Sequence, residues 1–215
     1  MTHLADADNP KDTKFNEKQT RLFDKGVEVI LKAGYKPKYI HIAQSAGSTK
    51  ITSEYANSIR IGMALYGINP LAVTDKYYEK LNTLKPALTL TSTITKIVQL
   101  KAGDTVSYGR TFTVDKPTKI GVIPLGYYEG LPRVLSNNGL VELEDSYAPI
   151  AGRVCMDHTM LNLEAIDINV GDSVTVISSD IRSKVSVRNI CSEHDLFNYG
   201  LLVGLNQNIR RRIVK

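Results

Sequence analysis

Cysteine is scarce in this chain: the 215 residues include two, Cys155 and Cys191, far apart and outside any Cys-x-x-Cys or histidine spacing. That argues against a disulfide framework and against a metal centre, so a reduced, cytoplasmic setting is the expectation. Long apolar runs are missing as well. No stretch approaches the roughly 18 consecutive apolar residues that a membrane-spanning helix requires, and the N-terminus has no apolar segment behind basic residues of the kind an export signal needs. A soluble, unexported protein with no membrane partner is expected. The formal net charge is +5, but the basic residues are scattered apart from Arg210-Arg211-Arg212. No recognition-helix, zinc-finger or RNP pattern accompanies them, which speaks against a nucleic-acid partner. An anionic small ligand such as a phosphate suits the same excess. With 42% hydrophobic and 23% charged residues, the composition is that of a globular protein with one large domain or two small ones.

The periodicity changes character part-way along. Phe15 to Ala33 carries apolar residues at helical spacing (Leu22, Val27, Ile30, Leu31) and stops at Gly34. A strand at Tyr39 to Ala43, a small-residue loop from Gln44 to Thr49, a short helix around Ile51 to Ala56 and a strand from Ser58 to Gly62 follow. Helices between short strands imply a parallel sheet with ligands at the strand C-terminal ends. After Pro86 the pattern is all β. Strands are expected at Ala87 to Leu100, Thr105 to Val114, Lys119 to Leu125, Gly139 to Leu143, Ala148 to Val154, Met160 to Leu163 and Ser173 to Ile177, with a helical or mixed tail from Val187. These patterns divide the chain into an α/β domain, residues 1–84, and a β domain, residues 85–215, joined by a packed linker from Leu71 to Leu84. The α/β part supplies about three βα units where a complete barrel needs roughly 250 residues. The expectation is that a partner supplies the remainder or that the chain is a piece of something larger.

Several segments contain residues suited to chemistry. Val106-Ser107-Tyr108-Gly109-Arg110-Thr111 places a phenol in a glycine-flanked turn and follows it with a cation; the phenol is either a proton-transfer group or a strand-end tyrosine satisfied by one hydrogen bond. Ser45, and the amides of Gly62 and Met63, stand after the two α/β strands, where they form either an anion site or ordinary turns. Arg60 lies between Ile59 and Ile61 inside an apolar strand, where a permanent charge needs a partner, either a structural salt bridge or a ligand. Gly152-Arg153-Val154-Cys155-Met156-Asp157 ends a strand in a polar loop, but no motif pairs Cys155 with an activating histidine. Tyr127 and Tyr128 after Gly126, with Glu129 and Arg133, form another polar cluster.

Taken together these segments resemble the alanine racemase family. The resemblance also rests on Thr2-His3-Leu4-Ala5-Asp6-Ala7-Asp8, His41-Ile42-Ala43-Gln44-Ser45-Ala46, Ile59-Arg60-Ile61-Gly62-Met63-Ala64-Leu65-Tyr66-Gly67 and Pro124-Leu125-Gly126-Tyr127. It implies part of a pyridoxal-phosphate-binding TIM-type (β/α) barrel followed by a C-terminal β domain. It further implies a head-to-tail homodimer in which the barrel of one subunit meets the β domain of the other. By position, His3 would contact the cofactor, Ser45, Gly62 and Met63 would hold its phosphate, and Arg60 would face the pyridine nitrogen. Tyr108 would exchange the substrate Cα proton. Met156 would receive the substrate carboxylate, with Cys155 and Tyr127 beside it, and Asp8, Arg133, Arg153 and Asp157 would line the entry channel. The implied reaction is interconversion of L- and D-alanine for cell-wall supply. The alternatives are a serine or broader racemase, and a non-catalytic phosphate-binding or dimerisation module.

Two departures accompany the resemblance. Racemisation needs a second base on the opposite face of the substrate. In the family this is the cofactor-linked lysine of a Val-Lys-Ala-Asn-Ala-Tyr-Gly-like motif, which these 215 residues do not contain. The chain by itself is therefore expected to be inactive. In the closing segment Gln207 stands where a tyrosine or serine near the phosphate is usual, and Asn208 where an arginine is.

Overall fold

The computed structural model describes residues 1–11, 13–144, 146–164 and 166–214. It divides into two compact units, Met1–Ala87 and Leu88–Lys215.

The first unit opens with an extended segment whose Thr2 amide donates to the His41 carbonyl at 3.3 Å. Helix α1, Lys14–Lys32, follows. Its period is the expected one but its buried stripe differs: Asn16, Thr20 and Val27 are buried, with Phe23 packed against the core, while Leu22, Ile30 and Leu31 are exposed. The polar start of that stripe is stable because its groups are mostly paired. Asn16 Nδ2 donates to the Asp6 carbonyl at 2.9 Å and Thr20 Oγ1 to the Asn16 carbonyl at 2.8 Å. Strands β1, His41–Gln44, and β2, Ser58–Arg60, pair in parallel with Gln44 opposite Arg60. The expected helix at Ile51 to Ala56 does not form. Instead a 3₁₀ turn occupies Gly47–Thr49, and Ser53 Oγ draws the following chain into a bend by accepting from the amides of Tyr55 and Ala56. The core of this unit collects Leu4, Ile42, Ala43, Ala46, Leu71 and Tyr78, so the segment expected as a packed linker is packed. Beneath it lies an ion pair between Lys50 and Asp75, with side-chain exposures of 4% and 2%. Lys50 Nζ also donates to the Asn9 carbonyl at 3.2 Å, and Asp75 Oδ1 accepts from the Tyr77 amide at 2.9 Å. Burial pushes the Asp75 carboxyl upward, but the Lys50 ammonium and the Tyr77 amide outweigh it and hold the group below its ordinary value.

The second unit is antiparallel. Its strands are β3 (Leu90–Thr93), β4 (Lys96–Leu100), β5 (Thr105–Val106), β6 (Phe112–Thr113), β7 (Thr118–Ile123), β8 (Leu140–Glu142), β9 (Tyr147–Pro149), β10 (Thr159–Asn162) and β11 (Ser173–Ile177). Strand β7 is central to a three-stranded sheet in the order β10-β7-β4, a four-stranded sheet runs β3-β11-β8-β9, and β5 pairs with β6. Three expected strands are corrected. Ala87 to Leu100 breaks in two because the Ile94 amide bonds Asp172 of one sheet's flank and the Thr95 amide bonds Val122 of the other sheet. Thr105 to Val114 is a hairpin whose tip, Tyr108–Arg110, is a 3₁₀ turn. Ala148 to Val154 ends at Pro149 as a ladder strand, three residues before Gly152 at φ +83°. Ile94, Ile123, Val141, Leu161 and Leu163 are fully buried, each contributing about 1.5–3 kcal/mol by removal from water. The tail, expected to be helical or mixed, is mixed, with α2 at Val187–Glu193, α3 at Asn198–Gly204 and no helix over residues 205–214. Among the described residues no helix is long and apolar enough to cross a membrane.

Candidate functional site

The residues singled out in the sequence fall into two clusters, one in each unit. In the first unit the parallel pairing sets Arg60 beside the C-terminal end of β1. Its guanidinium is fixed by four acceptors: His41 Nδ1 at 2.5 Å, the Thr2 carbonyl at 3.0 Å, the Ile42 carbonyl at 3.0 Å and His3 Nδ1 at 3.3 Å. A guanidinium only donates and keeps its proton in proteins. In these contacts the two imidazole Nδ1 atoms stand as acceptors, and the Thr2, Ile42 and His3 contacts share the two protons of one guanidinium nitrogen. His41 was not among the sequence-derived site residues. The signal for it was present: an arginine inside an apolar strand needs an acceptor on the neighbouring strand, and His41 begins that strand.

Ser45 is buried one residue beyond β1, and its Oγ accepts from the amides of Gly62 at 3.0 Å and Ala64 at 3.3 Å. The structure thus brings Ser45 and Gly62 together, with Met63 between the two donors. Two accepted bonds leave the hydroxyl proton as the remaining capacity of Ser45, a donor suited to an anion's oxygen. With the fixed cation of Arg60 on the same pair of strand ends, the Ser45 hydroxyl proton suits a phosphate oxygen and the guanidinium a ring nitrogen, whereas the Gly62 and Ala64 amides are taken up by Ser45 Oγ. Asp8, the other residue of this unit named from the sequence, is exposed.

In the second unit Tyr108 stands on the hairpin tip with 73% of its surface exposed. The backbone around it is unusual. Ser107 has φ 66° and ψ 177°, Gly109 has φ 74° and Arg110 has φ 52°. For a residue with a side chain the Ser107 conformation costs on the order of 1–3 kcal/mol and persists only where neighbours hold it. Ser107 Oγ donates to the Arg153 carbonyl at 2.7 Å, and Cys155 Sγ lies 3.6 Å away. Gly152 has to be glycine, since a β carbon there would lie 2.5 Å from Ser107 Cβ and 2.9 Å from the Val106 carbonyl oxygen. Gly126 is equally constrained: a β carbon would overlap the carbonyls of Cys155 and Met156. That close approach lets the Tyr127 and Tyr128 amides bond those carbonyls, each at 3.0 Å. Tyr127, Cys155 and Met156 are thereby brought together. Arg133 stacks over the Tyr127 ring at 5.7 Å, while Arg153 and Asp157 are exposed on the same loop system. Cys155 is partly exposed and Cys191 is buried, where desolvation pushes the thiol up to about 11. Titration of the native chain with a thiol reagent is expected to count one rapidly reacting group, Cys155, and a second only in denaturant; two rapid thiols would overturn that placement of Cys191.

Residues 87–213 match the family described as "Alanine racemase, C-terminal domain", and residues 1–70 match "Alanine racemase, N-terminal domain". The chain belongs to the alanine racemase family. The alanine racemase of Staphylococcus saprophyticus is 35% identical over 214 residues, 98% of this chain and 53% of that protein. The chain spans about half the length of the curated relatives it matches. Among solved structures, the alanine racemase of Clostridium difficile 630 in complex with cycloserine superimposes with a TM-score of 0.85 at 28% identity, covering 97% of this chain and 54% of that one. The alanine racemase from Bacillus anthracis with bound L-Ala-P gives 0.83 at 29% identity, covering 95% and 52%. The fold class is accordingly that of these alanine racemases, barrel-derived in the first unit and a C-terminal β domain in the second.

Proposed function

We propose that this chain supplies one of the two proton-transfer groups and much of the cofactor cradle of a cytoplasmic alanine racemase that interconverts L- and D-alanine. The observation that carries this reading is Arg60, a guanidinium locked by four acceptors at the end of a parallel strand pair, beside the Ser45 and Gly62 turn. When bound, pyridoxal phosphate supplies an electron sink for the carbanion left at the substrate Cα. Arg60 would face the pyridine nitrogen and leave it unprotonated, because a guanidinium does not hand over its proton. His3 would flank the ring, and Ser45 with the Gly62 and Met63 amides would hold the phosphate, the Gly62 amide turning to it from Ser45 Oγ. Tyr108 would move the Cα proton at its phenolic oxygen. The Met156 amide would receive the substrate carboxylate next to Cys155 and Tyr127, and Asp8, Arg133, Arg153 and Asp157 would border the entry path. The cluster of the first unit would meet that of the second unit of another copy in a head-to-tail homodimer, as the family resemblance implies.

Inversion at Cα needs a proton taken from one face and one returned to the other, and these 215 residues contain no counterpart of the cofactor-linked lysine motif. The isolated polypeptide with added pyridoxal phosphate is expected to show no racemisation of alanine. Supplying in trans the portion of the Staphylococcus saprophyticus relative that this chain does not cover is expected to restore turnover, with alanine preferred to serine. Turnover by the polypeptide alone would sink the two-group reading, and a preference for serine would reassign the substrate.

A further inference from the structure

The conformation of Ser107 raises the question of what holds it and to what end. The turn that carries Tyr108 is fastened at both of its ends to a single loop, residues 152–155. On the near side, Ser107 Oγ donates to the Arg153 carbonyl at 2.7 Å. On the far side, Thr111 Oγ1 accepts from Asn137 Nδ2 at 3.1 Å. Asn137 is itself locked to Gly152, its Oδ1 accepting from the Gly152 amide at 2.6 Å and its own amide donating to the Gly152 carbonyl at 3.1 Å. Next to it, Ser136 Oγ accepts from the Val154 amide at 3.1 Å. Asn137 adopts φ 60°, a left-handed conformation that asparagine tolerates better than most residues. Both routes therefore end on the loop that leads into Cys155 and Met156.

We propose that Ser107 and Asn137 are positioning residues for Tyr108. Their side chains act as two tethers that hold the Tyr108 turn in one conformation, in register with the Cys155-Met156 loop. A tyrosine this exposed has little packing to orient it, so its direction is set by the backbone on which it stands, and the Ser107 backbone is one a serine leaves when its hydroxyl bond is removed. The catalytic meaning of the tethers rests on the reading of Tyr108 as the proton-moving group.

The test uses the 215-residue chain and, for kinetics, the racemase reconstituted in trans. Backbone NMR relaxation at residues 107–111 is expected to give order parameters near about 0.85 for the unsubstituted chain and below about 0.6 in Ser107→Ala, with the values in β7 and β10 unchanged. Ser107→Gly, which adopts the same backbone freely but lacks the hydroxyl, is expected to lose order as well. Asn137→Gly keeps the left-handed conformation, removes the amide and serves as an independent variant of the second tether. In the reconstituted enzyme each change is expected to lower kcat about 100-fold, as a displacement near 1 Å does, with KM within about twofold. An ordered loop in Ser107→Ala and Asn137→Gly, or in Ser107→Gly, overturns the tethers. A loosened loop with unchanged kcat overturns their positioning role. Full turnover in Tyr108→Phe overturns the assignment of Tyr108 itself, an outcome separable from the relaxation result.

Discussion

Tyr108→Phe is expected to reduce alanine racemisation by the reconstituted enzyme by about 10²–10⁴-fold, the usual contribution of one positioned acid–base group. The substitution removes a single oxygen from a side chain that is 73% exposed, so the melting temperature of the chain is expected to stay within about a degree. The two measurements together separate chemistry from folding. Turnover near the unsubstituted level would remove Tyr108 from the reaction, and a collapse of stability would mean that the phenol is structural. Isotope exchange sharpens the comparison. A group acting on one face of Cα controls release of that proton to solvent from one enantiomer only, so loss of its oxygen is expected to impair exchange from one enantiomer much more than from the other.

Lys50→Met is expected to have the largest effect on stability. It leaves the Asp75 carboxylate buried without its cation, a change that typically costs about 3–5 kcal/mol. In a unit of this size that corresponds to a fall on the order of 10 °C or more in its melting temperature. Replacing both partners together, Lys50→Met with Asp75→Leu, is expected to recover most of the loss, because no charge is then stranded. An unchanged melting temperature in Lys50→Met would show that the pair does not hold the unit together. The pair also predicts an acid limb. The folded Asp75 carboxyl sits below its ordinary value, so its stabilising contribution is complete above the ordinary carboxylate range near pH 4. That contribution is lost as the pH falls through the lower, folded-state value. Unfolding monitored from about pH 6 downward should show a steeper limb in the unsubstituted chain than in the double variant, where the remaining carboxylates alone carry it.

The expected positions of most strands agree with the structure to within a few residues, because burial on one face leaves an alternating signature that local sequence carries. The central strand β7, with buried Ile120 and Ile123, was legible in this way, whereas its register against its two neighbours was not. Where the sequence misled, hydrogen bonds of polar side chains had outvoted the apolar pattern. The inward face of α1 is set by Asn16 and Thr20, polar residues whose bonds to Asp6 and along the helix no hydropathy pattern encodes. Ser53 accepts two amides where a helix turn was expected. The site was legible as residue types and not as partners. Arg60 announced itself as a charge in an apolar strand, but the identity of its acceptors depended on the parallel register that sets β1 against β2. The tethering bonds of Ser107 and Asn137 carried no signal in the sequence, since their partners lie 46 and 26 positions away.

The fastening of the Tyr108 turn also bears on the order in which the molecule is made. Ser107 and its anchor Arg153 are 46 positions apart, and Thr111 and Asn137 are 26 apart. At a synthesis rate of about 5–20 residues per second, Arg153 emerges roughly 2–9 s after Ser107. During that interval the serine has no bond with which to hold its costly backbone, and the nascent hairpin tip is free to explore other shapes. The turn that carries the phenol is thus ordered only when residues 152–155 arrive, so it is a late acquisition of the β domain. Synonymous changes in pausing between residues 111 and 153 would then lengthen or shorten the time for which this turn remains unshaped.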